Sequence, residues 1–203
     1  MNEMQNIRIG VDGLARFGLS MLKLSDPYTS GHCRKVQEWS VEMARAIKLP
    51  EASVKAVSGG AALHDIGKQG IPSSVLSKPG RLTFEEYELV KTHVQKGVNL
   101  LVEAGAPAQI IRIVAEHHER LDGSGYPNGL YEEEISLEGQ IVALADTLGA
   151  LTTKRTYHIP VTIEEAVLKL RHERKRLFAP RLLELAETVL CKRRQKSKES
   201  VSG

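Results

Sequence analysis

Residues 51–68 read EASVKAVSGGAALHDIGK, and this stretch decides the fold class. Pro50 punctuates the chain just before it, and Glu51 opens a helix. The segment is expected to stay helical to His64 and Asp65, where Gly67, Gly70 and Pro72 end it. The helix therefore finishes on an imidazole and a carboxylate, directly after the apolar run Ala61-Ala62-Leu63.

Working outward, the helical period persists almost throughout. Val11, Leu14, Phe17, Leu19, Met21, Leu22 and Leu24 predict a first helix, whose apolar stripe is expected to pack on the rest of the bundle rather than on a second subunit. A second helix, with Thr29 or Ser30 as its cap and Asp26 also placed to cap and orient it, runs toward Ile47. Thr83-Phe84-Glu85-Glu86 is a capping box, because the hydroxyl and the carboxylate satisfy each other's free amides. It opens a helix through His93 to about Glu103. Another runs from Pro107 toward Glu119. Gly123, Gly125, Pro127 and Gly129 make residues 121–131 a loop. Further helices are expected near 137–152, 162–174 and 180–193, with a second capping box at Thr162 and Glu165. No useful strand alternation and no internal repeat occurs. The predicted fold is all-α, a single-domain helical bundle over residues 1–191 with a basic, disordered tail over residues 192–203.

The chain has 203 residues, enough to bury a core without staples. It is 41% hydrophobic and 26% charged but only 4% aromatic, so aliphatic packing must dominate. Five of the 28 basic residues and one of the 25 acidic ones lie in the tail, which leaves the body at 23 against 24. The net charge of +3 thus reports the tail, and a nucleic-acid polymer is not expected as a partner. Cys33 and Cys191 make no disulfide framework and suit a reducing compartment. No apolar run reaches the ~18 residues that a membrane span needs. Arg8, Asp12, Arg16 and Lys23 break up the N-terminal apolar stretch, so no signal peptide is read. The expected setting is the cytoplasm, without membrane contact.

The chain carries seven histidines. One histidine on a helix says little, but their company here is informative. His64 adjoins Asp65. His117 and His118 are adjacent and follow Ile110, Ile111, Ile113 and Val114. Asp146 follows Ile141-Val142-Ala143-Leu144-Ala145. A carboxylate in such apolar surroundings is costly unless it is paired or bound to a cation. Imidazoles and carboxylates on the inner faces of several helices are what a buried metal site in a bundle requires. That donor mixture suits iron, manganese, zinc or nickel better than calcium or magnesium. Two ions a few ångströms apart can clamp both the attacking and the leaving oxygen of a phosphodiester.

These stretches resemble the HD-GYP branch of the HD-domain phosphohydrolases. The matching residues are Asp26-Pro27-Tyr28-Thr29-Ser30-Gly31-His32, Leu63-His64-Asp65-Ile66-Gly67-Lys68, Lys78-Pro79-Gly80, His93 ahead of Gly97, His117-His118-Glu119-Arg120-Leu121-Asp122-Gly123-Ser124-Gly125-Tyr126-Pro127, and Ala145-Asp146. The resemblance implies a bundle of the HD-domain type with a Gly-rich GYP loop. It also implies a phosphodiesterase that cleaves cyclic di-GMP to pGpG or GMP with two divalent ions, iron or manganese first and zinc or nickel next. His32, His64, Asp65 and Asp146 would hold one ion. Asp65 would bridge to a second, completed by His93, His117 and His118. Asp65 and Lys68 would be the catalytic pair, and Lys68, Tyr126 and Arg155 would contact the cyclic dinucleotide. Asp122 and Glu119 would fix the loop.

The chain departs from the family pattern at four places. Tyr28 stands where some members carry a glutamate that supports a third ion, so two ions are expected. Gly149 replaces an aspartate, His158 replaces a second cation after Arg155, and Ala179 replaces an aspartate before Pro180. An alternative reading is therefore a catalytically weak domain that signals by docking a protein partner through its GYP loop. Another is a phosphohydrolase of a different nucleotide.

Overall fold

A computed structural model describes residues 10–153, 159–173 and 176–199. Ten α-helices follow one another within them: α1 Val11–Ser25, α2 Pro27–Ala46, α3 Glu51–Leu63, α4 Ser73–Leu76, α5 Phe84–Lys91, α6 His93–Glu103, α7 Ala108–Glu116, α8 Leu137–Thr152, α9 Ile163–Glu173 and α10 Pro180–Glu199. Short 3-10 turns occupy Ile66–Gly70 and Glu132–Glu134. The fold is all-α. Among the described residues the one strand-like pairing is an isolated bridge between Asp122 and Tyr131.

Helix α8 is the centre of the bundle. Ile141, Val142, Ala143, Leu144, Ala145 and Leu148 are all buried, so its middle is enclosed by apolar packing except where Asp146 stands. Burying each leucine or isoleucine there contributes about 1.5–3 kcal/mol relative to leaving it exposed. Around α8, one core cluster joins α2, α3, α9 and α10 through Val36, Met43, Val57, Leu170, Leu183 and Leu190. A second cluster joins α1, α3, α6 and α7 through Leu19, Leu22, Leu63, Leu101, Ile110 and Val114. Helix α3 feeds both clusters. Helix α1 lays Ala15, Gly18, Leu19 and Leu22 on the bundle, and a Cβ at Gly18 would overlap Leu63. Phe17, Met21 and Leu24 of the same helix stay exposed.

Local chemistry sets most of the helix ends. Both capping boxes form. Thr83 and Glu86 exchange bonds of 2.7 and 3.3 Å, and Thr162 and Glu165 bonds of 2.7 and 3.1 Å. The cap of α2 is Asp26, whose carboxylate accepts from the Thr29 amide at 3.0 Å, because Pro27 with its fixed φ is already the first helical residue. Four boundaries differ from the sequence expectation. Helix α3 stops at Leu63, two residues short of Asp65. The 3-10 turn that follows lays Gly67 against the α6 backbone, where a Cβ would fall on the His93 carbonyl. The expected single helix through His93 breaks at Thr92, whose hydroxyl donates to the Leu89 carbonyl at 2.6 Å. Helix α7 ends at Glu116, so the His-His pair lies just beyond it. The last helix continues to Glu199, into the basic segment that the sequence reads as a tail.

Candidate metal centre

The two early helix endings place the site. Because α3 ends at Leu63 and α7 at Glu116, His64 and His117 occupy C-cap positions, and the residues after them turn toward a common point. His93 is the first residue of α6, His32 lies one turn into α2, and Asp146 sits mid-way along α8. His32, His64, Asp65, His93, His117 and Asp146 are all buried, while His118 is half-buried. All seven residues singled out in the sequence come together. One cluster gathers His93, His117 and His118. A second gathers His32, His64 and Asp146.

Asp65 stands between them. Its Oδ2 is 3.4 Å from His64 Nε2, and its Oδ1 is 3.4 Å from His93 Nε2. One carboxylate oxygen therefore faces each cluster. Asp146 faces His32 Nε2 at 2.8 Å and His64 Nε2 at 3.8 Å through Oδ1, and His118 Nδ1 at 3.9 Å through Oδ2. Lys68 reaches from the 3-10 turn and sets its Nζ 2.7 Å from Asp65 Oδ2. Cys33, which the sequence reading did not count among the ligands, also lies within ligand reach of His64 and Asp65, buried in the apolar cluster under α1.

Three imidazoles are oriented by the backbone. Nδ1 of His64, His93 and His117 lies 2.8, 2.7 and 2.7 Å from the carbonyl three residues earlier, Ala61, Val90 and Val114 respectively. A carbonyl can only accept, so each Nδ1 carries the proton and each Nε2 turns a lone pair inward. His93 and His117 then point two lone pairs at each other across 3.3 Å, and His64 Nε2 is buried without a hydrogen-bond partner. Such an arrangement is repulsive unless a cation lies between the nitrogens. Two nitrogens that far apart, each about 2.1 Å from one ion, subtend roughly 100° at it, an ordinary coordination angle. The donor set therefore fits divalent ions.

Charge states agree with this fit. Burial opposes ionisation of Asp65, but the Lys68 ammonium outweighs it, helped by His64 and His93, and the carboxyl is held well below the usual range. Burial likewise opposes the charge on Asp146, and the His32 hydrogen bond together with the attraction of His64, His32 and His118 overcomes it. Burial pushes His117 well down, with its histidine neighbours adding. Burial also lowers His93 and takes His118 to about 3. The neutral imidazoles of His93, His117 and His118 and the ionised carboxylates are the ligand forms that metals need, whereas Cys33 and Asp65 raise His64 against the opposing effect of burial.

The Gly-rich loop closes one side. Glu119, itself buried, accepts from the Asn128 amide at 2.8 Å and the Leu130 amide at 3.0 Å, so it pins the loop as the sequence anticipates. Asp122 accepts from the Ser124 amide at 3.1 Å. Tyr126 stacks on His118, with ring centres 4.6 Å apart, and the Lys91 ammonium lies 5.4 Å from the Tyr126 ring. Glu116 was not singled out in the sequence, and no motif marks it. It is buried, accepts from Arg112 Nε at 2.6 Å and from the Ser136 amide at 3.0 Å, and ties α7 to the start of α8. Arg155 and His158 lie outside the described residues.

Comparison with known proteins adds the lineage. The model of the HD domain family matches residues 19–182. A cyclic di-GMP phosphodiesterase of Thermotoga maritima is 40% identical over 171 residues, which cover 82% of this chain and 46% of that protein. The cyclic di-GMP phosphodiesterase response regulator RpfG of Xanthomonas campestris is 40% identical over 167 residues, covering 80% and 44%. The 3′3′-cGAMP-specific phosphodiesterase 2 of Vibrio cholerae is 37% identical over 159 residues, covering 77% and 30%. The chain thus spans less than half the length of these curated relatives. Among solved structures, an HDG"Y"P protein from Bdellovibrio bacteriovorus shares the fold with a TM-score of 0.69 at 19% identity, over 89% of this chain and 62% of that one. The HD domain of the L. monocytogenes phosphodiesterase PgpH, in complex with cyclic-di-AMP, gives a TM-score of 0.66 at 17% identity, over 88% and 96%. The ordered motifs, the helical architecture and these matches place the chain in the HD-domain family, within its HD-GYP branch.

Proposed function

We propose that this chain is a metal-dependent phosphodiesterase that hydrolyses cyclic di-GMP to pGpG or GMP at a centre of two divalent ions. Iron or manganese is the first choice of ion, with zinc or nickel next. The observation that carries this reading is the placement of Asp65, which offers one oxygen to each of two histidine clusters. A pure interaction module has no use for buried, paired charges of that kind. We assign His32, His64 and Asp146 to one ion, His93, His117 and His118 to the other, and Asp65 to both.

Bound there, divalent ions would supply Lewis-acid activation of a water and of the phosphoryl oxygens. The residues of the chain do the rest. Lys68 holds its ammonium on Asp65 Oδ2, with charge to spare for an incoming phosphodiester. Tyr126 keeps its proton, because burial, Tyr87 and Asp146 all raise its pKa, so it donates a hydrogen bond rather than acting as a base. Its ring, braced on His118, gives a nucleobase a stacking surface beside the ions. Arg155 is assigned to the substrate phosphate as a planar two-pronged donor. Tyr28 offers no carboxylate one turn before His32, which keeps the expected number of ions at two. Neither Cys33 nor Cys191 is in a disulfide, and we place the protein in the cytoplasm on that ground. No helix among the described residues is long and apolar enough to cross a membrane.

The test is turnover. Purified protein is loaded with Mn(II) or Fe(II) and incubated separately with cyclic di-GMP and 3′3′-cGAMP, and the linear products are followed by chromatography. Formation of pGpG is expected. Absence of turnover with both ions bound would sink the proposal, and a preference for 3′3′-cGAMP would reassign the substrate.

A further inference from the structure

His32 is held differently from the other imidazoles of the centre. His64, His93 and His117 each donate Nδ1–H to a backbone carbonyl. His32 instead turns Nε2 to Asp146 Oδ1 at 2.8 Å, while its Nδ1 is buried with no hydrogen-bond partner. The reason lies on α8, one turn beyond Asp146. Gly149 presents bare backbone to the ring. A Cβ placed there would lie 3.1 Å from His32 Cε1, 3.3 Å from Nδ1 and 3.4 Å from Val36 Cγ2. The imidazole therefore rests directly on the glycine, with no side-chain acceptor opposite Nδ1 and no solvent contact.

The two clusters consequently present different obstacles to an ion. Between His93 and His117 the lone pairs already face inward, so an ion breaks no hydrogen bond and relieves a repulsion. At His32 an ion must replace the hydrogen bond to Asp146. Nε2 then ligates, and its proton has to reside on Nδ1, where nothing accepts it. Outer hydrogen bonds of this kind are worth roughly 10- to 100-fold in metal affinity.

We propose that the two ion positions are unequal. The position of His93, His117 and His118 fills first and holds its ion. The position of His32, His64 and Asp146 binds at least about tenfold more weakly, because Gly149 leaves His32 unanchored. The supply of divalent ion then sets whether the centre carries one ion or two, and Gly149 is the positioning residue that makes it responsive. This rests on the two-ion reading above.

The experiment counts ions. The full chain, stripped with chelator, is titrated with Mn(II), and free ion is read by electron paramagnetic resonance. Two binding steps separated by tenfold or more are expected. His32→Ala should remove the weaker step alone, and His93→Ala should weaken the tighter one. Gly149→Ser, which brings a hydroxyl acceptor to Nδ1, should tighten the weaker step by roughly 10- to 100-fold. Gly149→Ala adds bulk without an acceptor and should not tighten it. Circular dichroism confirms that each variant folds. Two steps of equal affinity in the parent chain, or loss of the tighter step in His32→Ala, would overturn the inference while leaving the two-ion reading intact. Failure of the parent chain to bind any ion would overturn both.

Discussion

Replacing Glu119 by glutamine changes one atom's chemistry and tests how the Gly-rich loop is held over the centre. The buried Glu119 carboxylate accepts two backbone amides, from Asn128 at 2.8 Å and Leu130 at 3.0 Å. Glutamine keeps one acceptor and sets an NH2 group against the other amide. The loss is one hydrogen bond to a charged group, about 1.5–3 kcal/mol. Other ties of the loop include the Tyr126 amide on the His118 carbonyl at 3.2 Å, the Glu132 amide on the Leu121 carbonyl at 3.2 Å and the Leu121 amide on the Leu177 carbonyl at 3.3 Å, and the substitution leaves them in place. The loop should therefore open locally rather than unfold the bundle. That free energy raises the opening constant by roughly 10- to 150-fold. Hydrogen exchange read by mass spectrometry should show this loss of protection in peptides spanning residues 122–131, with α8 unchanged as the internal reference. KM for the cyclic dinucleotide should rise as Tyr126 loosens from His118, with a smaller effect on kcat. Unchanged exchange at the Asn128 and Leu130 amides would refute the idea that Glu119 pins the loop, whatever the kinetics did.

Further outcomes follow from the same geometry. Asp65→Ala should abolish turnover and release both ions, because each cluster loses its shared oxygen; retention of two ions by elemental analysis would count against bridging. Gly67→Ala should prevent folding or lower the melting temperature severely, since its Cβ would fall on the His93 carbonyl and the Gly97 amide; a soluble variant with a parental melting curve would contradict the packing. Acid should destabilise the metal-free protein early. His93, His117 and His118 have folded-state pKa values below those of the unfolded chain, so the unfolded state takes up protons first, and their contribution is lost as pH falls below about 6.5. His64 is raised by Cys33 and Asp65 against the opposing effect of burial, so it works in the opposite sense, one residue against three. Asp65 and Asp146, both lowered, add their loss only below about 4. Melting temperatures of chelator-treated protein that stay flat from pH 7 to pH 4.5 would refute this order.

Much of the architecture was legible in local sequence. Val11 to Leu24, Leu137 to Thr152 and the two Thr-Glu capping boxes announce their helices because helical period and end-capping are set within a few residues. The seven clustered residues were legible for a related reason. A carboxylate such as Asp146, set in an apolar helix, has to find a partner. What local pattern does not carry is where a helix stops when a distant element decides it. Helix α3 ends at Leu63 because Gly67 packs on the backbone of α6, and that contact has no trace in residues 51–68 themselves.

The same division runs through the centre. By itself, the sequence determined the candidate donors, their order and an all-helical scaffold able to hold them. The tertiary structure alone decided that Asp65 turns one oxygen to each cluster and that Glu116 and Glu119 anchor the neighbouring segments. It also decided that three imidazoles are fixed by the backbone carbonyl three residues earlier while His32, 114 residues from Asp146, meets a bare glycine. Donor identity is a property of single residues. The direction of a lone pair depends on what lies on the far side of the ring, and folding brings that neighbour from anywhere in the chain.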